Sequence, residues 1–363
     1  MDVARITTID QLEAERPRWE ALERLDPHAT VFTSWAWLRA FLPVTRMRWT
    51  VLALRDAGRT IAYLPLARGG WMLDRELYLG GNPYADYTGM IADPARENEA
   101  VARFAQVLAR EGWDAFNLCD VRDPRLEAIV AALCERGFLV CQTDTVRCLS
   151  VRLPATWDEY VTTCISAKTR VNTLRVERRL AEALPNFRIS EATAADIGAH
   201  VEATLRVHHS RWGGNMLTAR KRFGGLFRNA FERGMLRVFV YWDGDKPVAG
   251  AAAFLDVPRS SFGLYMIGFD EAYAKLSPGK GIVGRAIRAA IESGYQHFDF
   301  LRGDEPFKQN YASDVTVTRQ YRLVAPGWRS AAIGYARPKA FALKTALANA
   351  VFRAGRNRVG ATR

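Results

Sequence analysis

The chain has 363 residues, of which 49% are hydrophobic and 25% are charged, proportions typical of a folded globular protein and not of a disordered one. This length suits two domains of ordinary size. No apolar run approaches the roughly 20 residues that a membrane-spanning helix needs. The first residues include acidic side chains and do not resemble a signal peptide, so we expect a cytoplasmic protein.

The positive charge is concentrated at the end of the chain. The formal net charge is +12, and residues 335–363 contain seven Lys and Arg residues and no acidic residue. Apolar residues recur in the same segment at helical spacing. The segment is typical of a basic amphipathic helix on an anionic membrane and, more commonly, of a terminal helix packed on the protein body.

The five cysteines show none of the spacings of zinc sites or redox pairs. Their strand-like surroundings predict buried thiols. We therefore expect neither a disulfide framework nor a metal site.

Helical and strand patterns alternate through the first half of the chain. Strand patterns at 49–55 and 59–68 flank Asp56-Ala57-Gly58 and predict a hairpin. The aromatic run 33–41 predicts a helix whose tryptophans lie in the core. The other predicted elements of this half are strands at 3–7, 77–79, 90–91, 114–119 and 138–151, a helix from Ile9 capped by Asp10, and helices at 97–111 and 125–137.

The residues after Pro154 repeat this plan without evident sequence identity. Strand patterns at 235–242 and 247–255 flank Asp243-Gly244-Asp245 and predict a second hairpin. The repetition predicts two copies of an α+β unit that meet near Pro154. The other predicted elements are helices at 156–163, 166–184, 194–208 and 217–232, a strand at 187–192 and a loop at 209–214.

The stretch 262–311 combines a strand, a glycine-rich loop, a helix, a second strand and a polar cluster. The loop 277–281 is predicted to precede a helix that starts at Ile282. Such a loop presents backbone N–H groups and the positive end of a helix dipole, which suit a pyrophosphate. The same residues also fit an ordinary helix start, with Ser277 as N-cap and Pro278 as the first helical residue.

These residues resemble known transferases. From Arg237 to Leu323 the order of elements resembles the GNAT acyltransferase fold, and the two copies resemble the Fem-type transferases. The loop departs from the GNAT pattern, because Ser-Pro-Gly-Lys-Gly replaces a Gln or Arg followed by spaced glycines. The segments that resemble the CelD-type acetyltransferases of cellulose and exopolysaccharide biosynthesis are Thr33–Phe41, Ser166–Asn172, His209–Gly214, Gly268–Gly281 and Phe298–Lys308.

The resemblance implies a fold class and a domain division. The implied fold class is α+β, with a three-layer α/β arrangement like that of GNAT proteins. It consists of two tandem GNAT-type domains, whose sheets are mixed and mostly antiparallel. The implied domains are 1–153, 154–334, which carries the donor-binding loop, and a basic C-terminal helix within 335–363.

The resemblance also implies a function. The expected protein is an N-acyltransferase with acetyl-coenzyme A, or another acyl-coenzyme A, as donor and no metal. Its substrate would be a small molecule or glycan precursor, such as an amino sugar, in cell-surface polysaccharide synthesis. One alternative is a Fem-like transferase that uses aminoacyl-transfer RNA, the only nucleic acid expected. Another is a non-catalytic scaffold of a polysaccharide synthase, in contact with the membrane through its basic tail.

Candidate site residues follow from the same comparison. Asp304 or Glu305 is the predicted general base; the alternative for both is a surface ion pair with Arg302 or Lys308. Backbone N–H groups of the strand 262–269 would polarise the donor carbonyl. The predicted donor-binding residues are Ser277, Gly279, Lys280, Gly281 and Gly284, and the predicted acceptor-binding residues are Asp86, His209, Arg211, Trp212, Arg302, Lys308 and Tyr311.

Overall fold

A computed structural model of the protein describes residues 1–69, 75–212 and 216–327, with the side chains of Gln142 and Trp212 outside the description. The predicted basic helix within 335–363 lies outside the described residues, so its interpretations stay predictions. Within the described ranges, no helix is both long and apolar enough to cross a membrane.

The described strands form one sheet, most of whose pairings are antiparallel. The strands are β1 Asp2–Ile6, β2 Arg48–Asp56, β3 Arg59–Gly69, β4 Glu76–Leu79, β5 Ile91–Ala92, β6 Ala115–Val121, β7 Leu139–Arg152, β8 Phe187–Glu191, β9 Leu236–Asp243, β10 Lys246–Asp256, β11 Ser261–Phe269, β12 His297–Arg302 and β13 Asp314–Val324. Their order in the sheet is β1-β2-β3-β4-β6-β13-β7-β12-β11-β10-β9-β8, and β5 pairs with β3.

Helices pack on this sheet and enclose apolar cores against it. Trp35 and Trp37 are buried in one of these cores, as predicted. The helices are α1 Ile9–Ala14, α2 Arg16–Leu25, α3 Trp35–Phe41, α4 Glu97–Ala109, α5 Pro124–Cys134, α6 Trp157–Glu159, α7 Ala167–Ala183, α8 Ile197–Trp212, α9 Met216–Glu232 and α10 Pro278–Glu292.

Both predicted hairpins are present, but several predicted helix ends are wrong. The N-cap of α1 is Thr8 and not Asp10, because the Thr8 hydroxyl accepts the Gln11 N–H. Helix α8 does not end at His208 but runs to Trp212, since no helix-breaking residue precedes Gly213. Cys148 is buried as predicted, whereas Cys134 is exposed and the other three cysteines are only partly buried.

The two halves of the chain share the sheet through β13. This strand lies between β6 and β7 and is antiparallel to both. Among the described strands, β7 pairs only with β12 and β13, so the last strand of the first half is held by the second half. Strand β13 was not among the elements predicted from the sequence. The mixed, mostly antiparallel α/β architecture itself is confirmed.

A gap opens in the sheet between β11 and β12. These parallel strands pair only at 261–263 with 297–299 and then diverge. Tyr265 forms a bulge in β11, since Leu264 and Met266 lie opposite the adjacent residues Ala253 and Ala252 of β10. A bulge leaves backbone groups outside the regular ladder. The gap therefore exposes part of the β11 backbone to a ligand that enters between the strands.

Candidate functional site

A cavity of about 240 Å³ lies where the end of β11 meets the start of α10. Its wall combines apolar side chains with two cationic ones. Its lining residues include Arg211, Ile267, Phe269, Gly279, Lys280 and Phe307.

The start of α10 suits an anion. The helix begins at Pro278 and not at Ile282, because the fixed φ of proline favours the first helical position. Ser277 precedes it with φ 58°, and its side chain makes no capping hydrogen bond. No acidic residue occurs in the first turn. Residues 277–281 can therefore be both an ordinary helix start and an anion-binding site, because a helix start without acidic residues attracts anions.

Two cationic side chains border this helix start. Lys280 is exposed in the first turn of α10. The Arg211 guanidinium carbon lies 5.2 Å from the centre of the Phe269 ring, and Arg211 Nη1 is 2.9 Å from Glu271 Oε1. Arg211, predicted as an acceptor ligand, thus lines the same cavity as the predicted donor-binding residues.

The glycines of α10 differ in their surroundings. Gly279 lines the cavity. A Cβ atom on Gly281 would lie 2.7 Å from Val176 Cγ1, and one on Gly284 would lie 2.4 Å from Thr173 Cγ2. Both glycines therefore allow α10 to pack closely on α7. Packing explains them without a ligand, and their donor-binding role stays a prediction.

A charged cluster from both halves of the chain lies beside the gap. The backbone N–H of Arg302 donates to Asp86 Oδ2 at 3.4 Å, and Arg302 Nη1 is 3.2 Å from Asp120 Oδ2. Lys308 Nζ donates to the Arg302 carbonyl oxygen at 2.6 Å. The structure therefore brings together Asp86, Arg302 and Lys308, three of the predicted acceptor-binding residues.

The environment of Asp86 favours its neutral form. Burial, and after it the charge of Asp120, raises the pKa of Asp86 to about 7. Burial also raises the pKa of Asp120, although Arg302 opposes this effect. A carboxylate that titrates near neutral pH is suited to accept a proton during catalysis. Asp86 is thus a candidate general base as well as a candidate ligand.

Two residues of the cluster region have an unusual backbone. Asp120 has φ 54° and Leu301 has φ 57°, and both lie inside strands. Left-handed φ values cost non-glycine residues roughly 1–3 kcal/mol each and occur often at functional sites. Leu301 immediately precedes Arg302, whose N–H is directed at Asp86. The strained backbone of Leu301 thus lies next to the hydrogen bond that joins the two halves.

The bulged residue of β11 extends the cluster toward an aromatic wall. The Tyr265 hydroxyl donates to the Tyr84 carbonyl oxygen at 2.8 Å. The Tyr265 ring packs edge-on against Phe254, Phe227 and Phe223. Burial raises the pKa of Tyr265, and the charge of nearby Asp86 adds to this effect. An aromatic surface therefore adjoins the candidate base.

The predicted base pair occupies a more open position. Asp304 Oδ2 lies 3.8 Å from Arg147 Nη1, and 53% of the Asp304 side chain is exposed. Glu305 Oε2 lies 2.8 Å from Lys308 Nζ, which is the predicted ion-pair alternative. The predicted pairing of either carboxylate with Arg302 is wrong, because Arg302 reaches the less exposed Asp120 instead. The catalytic role of Asp304 or Glu305 stays a prediction.

The remaining predicted ligands lie on α8 and beside α10. His209, Arg211 and Trp212 belong to the last turn of α8 and not to a loop, and the Trp212 side chain lies outside the described residues. Tyr311 is buried, lines the α10 cavity and has its hydroxyl 3.1 Å from Thr173 Oγ1. The structure thus places Arg211 and Tyr311 on the candidate donor side.

The first half contains a corresponding arrangement with different chemistry. Strands β4 and β6 are also parallel for only three residue pairs. The first turn of α4 carries Glu97 and Glu99, which would repel an anion at that helix start. Arg322 also donates to Glu76, in the first of these pairs, and to Asn117, in the last. An anionic donor therefore fits the second half better than the first.

The region that contains this site matches a known family. Residues 167–309 match the model of the acetyltransferase (GNAT) domain family. These residues form a GNAT acetyltransferase domain. The domain includes β11, the start of α10 and β12, so the second half of the chain carries an acyltransferase domain. No curated protein matches the chain in sequence.

Solved structures resemble the chain over most of its length. FemX has a TM-score of 0.61 at 11% identity, with 88% of this chain and 97% of FemX covered. A tandem GNAT protein from the clavulanic acid biosynthesis pathway has a TM-score of 0.55 at 9% identity. The match covers 90% of this chain and 100% of that protein. L-PGS from Bacillus licheniformis has a TM-score of 0.54 at 10% identity. The match covers 90% of this chain and 96% of L-PGS. At these identities the similarity establishes the fold.

Proposed function

We propose that the protein is an N-acyltransferase that uses acetyl-coenzyme A or another acyl-coenzyme A. The acceptor is an amino sugar or related amine precursor in cell-surface polysaccharide synthesis, the role of the CelD-type group that the sequence resembles. The observation that carries the proposal is the cavity at the uncapped start of α10, beside the gap between β11 and β12.

The residues of the cavity fit such a donor. Lys280, Arg211 and the start of α10 would hold the phosphates, since cations and helix N-termini both attract them. The apolar side chains of Ile267, Phe269 and Phe307 would contact the pantetheine arm. These features support the donor site in the second half of the chain.

The cluster beside the gap would carry out the transfer. A bound acyl-coenzyme A supplies an activated carbonyl carbon. Backbone N–H groups of β11 near the Tyr265 bulge would stabilise negative charge on the carbonyl oxygen. Asp86 would take the proton from the attacking amine as the C–N bond forms. The C–S bond of the donor would then break, and coenzyme A would leave as a thiolate that takes up a proton from solvent. The Arg302 N–H and Lys308 would orient the surrounding groups. Asp304 and Glu305 are the alternative bases predicted from the sequence.

Isothermal titration of the full chain with acetyl-coenzyme A tests the donor. We expect saturable binding with one site per chain. A folded protein that binds neither acetyl-coenzyme A nor longer acyl-coenzyme A molecules would contradict the proposal.

A second candidate is a transferase that uses aminoacyl-transfer RNA. The similarity to FemX motivates it, together with the basic surface of α7. Lys168, Arg175 and Arg178 are exposed on this helix, which also contacts the segment before α10 through Arg179 and the Leu276 carbonyl. Transfer RNA binding would weaken steeply with salt, whereas acetyl-coenzyme A binding would depend on salt much less.

The scaffold interpretation makes a different prediction. If the protein acted as a scaffold at the membrane through its basic tail, deletion from Arg337 onward would abolish binding to anionic liposomes. Acyl transfer by the truncated protein would not change. Unchanged liposome binding would exclude the tail as the contact.

A further inference from the structure

A second cavity, of about 420 Å³, lies between the two halves of the chain. It adjoins the start of β11 and β12, where these strands still pair. It shares no lining residue with the α10 cavity. The second cavity is therefore a separate compartment, which we call the interhalf cleft. Its polar lining includes His28, Tyr87, Arg122, Arg259, His297 and Asp299.

Arg122 presents to the interhalf cleft a guanidinium group whose contacts are a stacked ring and a distant carboxylate. Its guanidinium carbon lies 4.8 Å from the centre of the Tyr87 ring, and 43% of its side chain is exposed. The closest carboxylate oxygen is Asp299 Oδ2, at 3.9 Å from Arg122 Nη1. Within the described part of the chain, the Arg122 guanidinium donates no hydrogen bond. Its planar set of donors remains available to a ligand.

The ring under Arg122 is fixed by a buried carboxylate. The Tyr87 hydroxyl is 2.9 Å from both carboxylate oxygens of Asp299. The Leu301 N–H donates to Asp299 Oδ1 at 2.7 Å. Burial raises the pKa of Asp299. These bonds hold Tyr87 in place, so the stacked Arg122 is preorganised and loses little conformational freedom on binding.

The opposite wall supplies polar groups but little free charge. Arg259 Nη1 donates to Asp256 Oδ1 at 2.8 Å, and Arg259 Nη2 donates to the Glu23 carbonyl oxygen at 3.0 Å. Its charge is therefore largely compensated within the protein. Ser150 and Ser261 contribute hydroxyl groups to the lining. The interhalf cleft thus combines hydroxyl groups and the carboxyl groups of Asp256 and Asp299 with one guanidinium that donates no hydrogen bond in the described part of the chain.

This combination fits a hydroxyl-rich ligand that carries one anionic group. A guanidinium fork binds a carboxylate or phosphate through two parallel hydrogen bonds. Asp86 directly precedes Tyr87 in the chain, so a ligand anchored at Arg122 lies close to the candidate base.

We propose that the interhalf cleft binds the acceptor through a phosphate or carboxylate group held by Arg122, so that the acceptor is an anionic amine. This inference rests on the proposed acyl transfer for the role of the ligand as acceptor. Binding of an anion at Arg122 does not require the donor and is tested without it.

The test is titration of the full chain, without acetyl-coenzyme A, with glucosamine, glucosamine 6-phosphate and muramic acid. The last two distinguish a phosphate from a carboxylate on a similar amino sugar. We expect binding of at least one of them and at least tenfold weaker binding of glucosamine. Arg122→Gln should weaken the binding of the preferred anion at least tenfold, and Arg122→Lys should restore it in part.

Arg59→Gln is the matched control, because Arg59 is 70% exposed and pairs with Asp93 away from the interhalf cleft. It should leave the affinity unchanged. The proposal is overturned if neither anion binds to the wild type, or if Arg122→Gln binds the anion as the wild type does. Acetyl-coenzyme A should bind equally to Arg122→Gln and the wild type. Loss of donor binding alone would contradict the proposed function and leave the anion site intact.

Discussion

Asp86 and Arg302 belong to different halves of the chain, yet the Arg302 N–H donates to the Asp86 carboxylate at 3.4 Å. The contact forms where β12 ends and where Leu301 has a left-handed backbone. The candidate base is thus contributed by the half that lacks the donor cavity. Neither half would contain a complete site without the other.

Removal of the Asp86 carboxylate should abolish most of the activity. We expect Asp86→Asn to lower kcat by about 10²–10⁴-fold, the usual contribution of a general base, and to leave the Kd of acetyl-coenzyme A unchanged. In the wild type, kcat should rise with pH through an apparent pKa of about 7, because only the ionised carboxylate accepts a proton.

Asp304→Asn is the comparison that decides between the two candidate bases. Asp304 is half exposed and more than 3.5 Å from its Arg147 partner, so its loss should change kcat less than twofold. If Asp304→Asn or Glu305→Gln lost activity and Asp86→Asn retained it, the base predicted from the sequence would be correct and Asp86 would not be the base.

The raised pKa of Asp86 also predicts an effect on stability. Since this pKa is about 7 in the folded protein and 3.8 for an ordinary Asp, the folded state binds more protons between these pH values. The free energy of unfolding therefore falls as the pH rises toward 7. Asp86→Asn cannot ionise, so we expect it to be more stable than the wild type at pH 8 by about 1–3 kcal/mol.

Urea denaturation at several pH values measures this difference. The advantage of Asp86→Asn should grow from pH 5 to about pH 7 and then remain constant. Asp304→Asn should show no such trend. An advantage of Asp86→Asn that was absent at pH 8 would mean that the folded protein ionises Asp86 without cost.

Local sequence patterns predicted most of the fold. Both hairpins have an Asp and a Gly in a short turn between alternating strands, and both formed as expected. The sequence allowed two interpretations of the start of α10, a loop before Ile282 and a helix that begins at Pro278. The choice between them depends on the local conformation of Ser277. Strand β13 was missed, although Asp314–Val324 is rich in β-branched residues. Its place between β6 and β7 depends on pairings at least 164 residues apart, which local patterns do not contain.

The sequence indicated which residues lie in the site better than it indicated their partners and their burial. Asp86, Arg302 and Lys308 were named as one group of ligands, and they do lie together. The partner of Arg302 was not predicted, because Asp120 comes from the other half of the chain. Asp86 differs from Asp304 mainly in burial, which depends on tertiary packing. An Asp between two tyrosines, in the segment that joins the predicted strands 77–79 and 90–91, was the available signal.

Lys280 should contribute to donor affinity through its charge. We expect Lys280→Gln to weaken acetyl-coenzyme A binding about tenfold, which corresponds to about 1.4 kcal/mol, since the lost cation lies at the start of α10. Lys275→Gln makes the same change at an exposed residue outside the cavity lining and should bind normally. Equal affinities for the two variants in isothermal titration would contradict a phosphate site at this helix start.

Gly284 should matter for packing and not for the donor. In Gly284→Ala the new methyl group would meet Thr173 Cγ2 at 2.4 Å, so we expect a loss of about 1–3 kcal/mol in the free energy of unfolding. Gly224→Ala in α9 meets nothing within 4 Å and should gain about 0.5–1 kcal/mol. Urea denaturation measures both. Lost acetyl-coenzyme A binding in a Gly284→Ala protein of normal stability would instead support the predicted donor role.

The shared sheet predicts that the two halves do not fold separately. The boundary predicted at residue 153 would leave β7 without a strand partner from its own half, because its described partners are β12 and β13. It would also remove β13 from β6 and expose a strand edge that invites aggregation. Residues 1–153 alone should therefore lack cooperative unfolding by circular dichroism, whereas co-expression with 154–363 should restore a folded complex. A monomeric fragment 1–153 with a sharp unfolding transition would show that the first half is an independent domain and that β13 is dispensable for it.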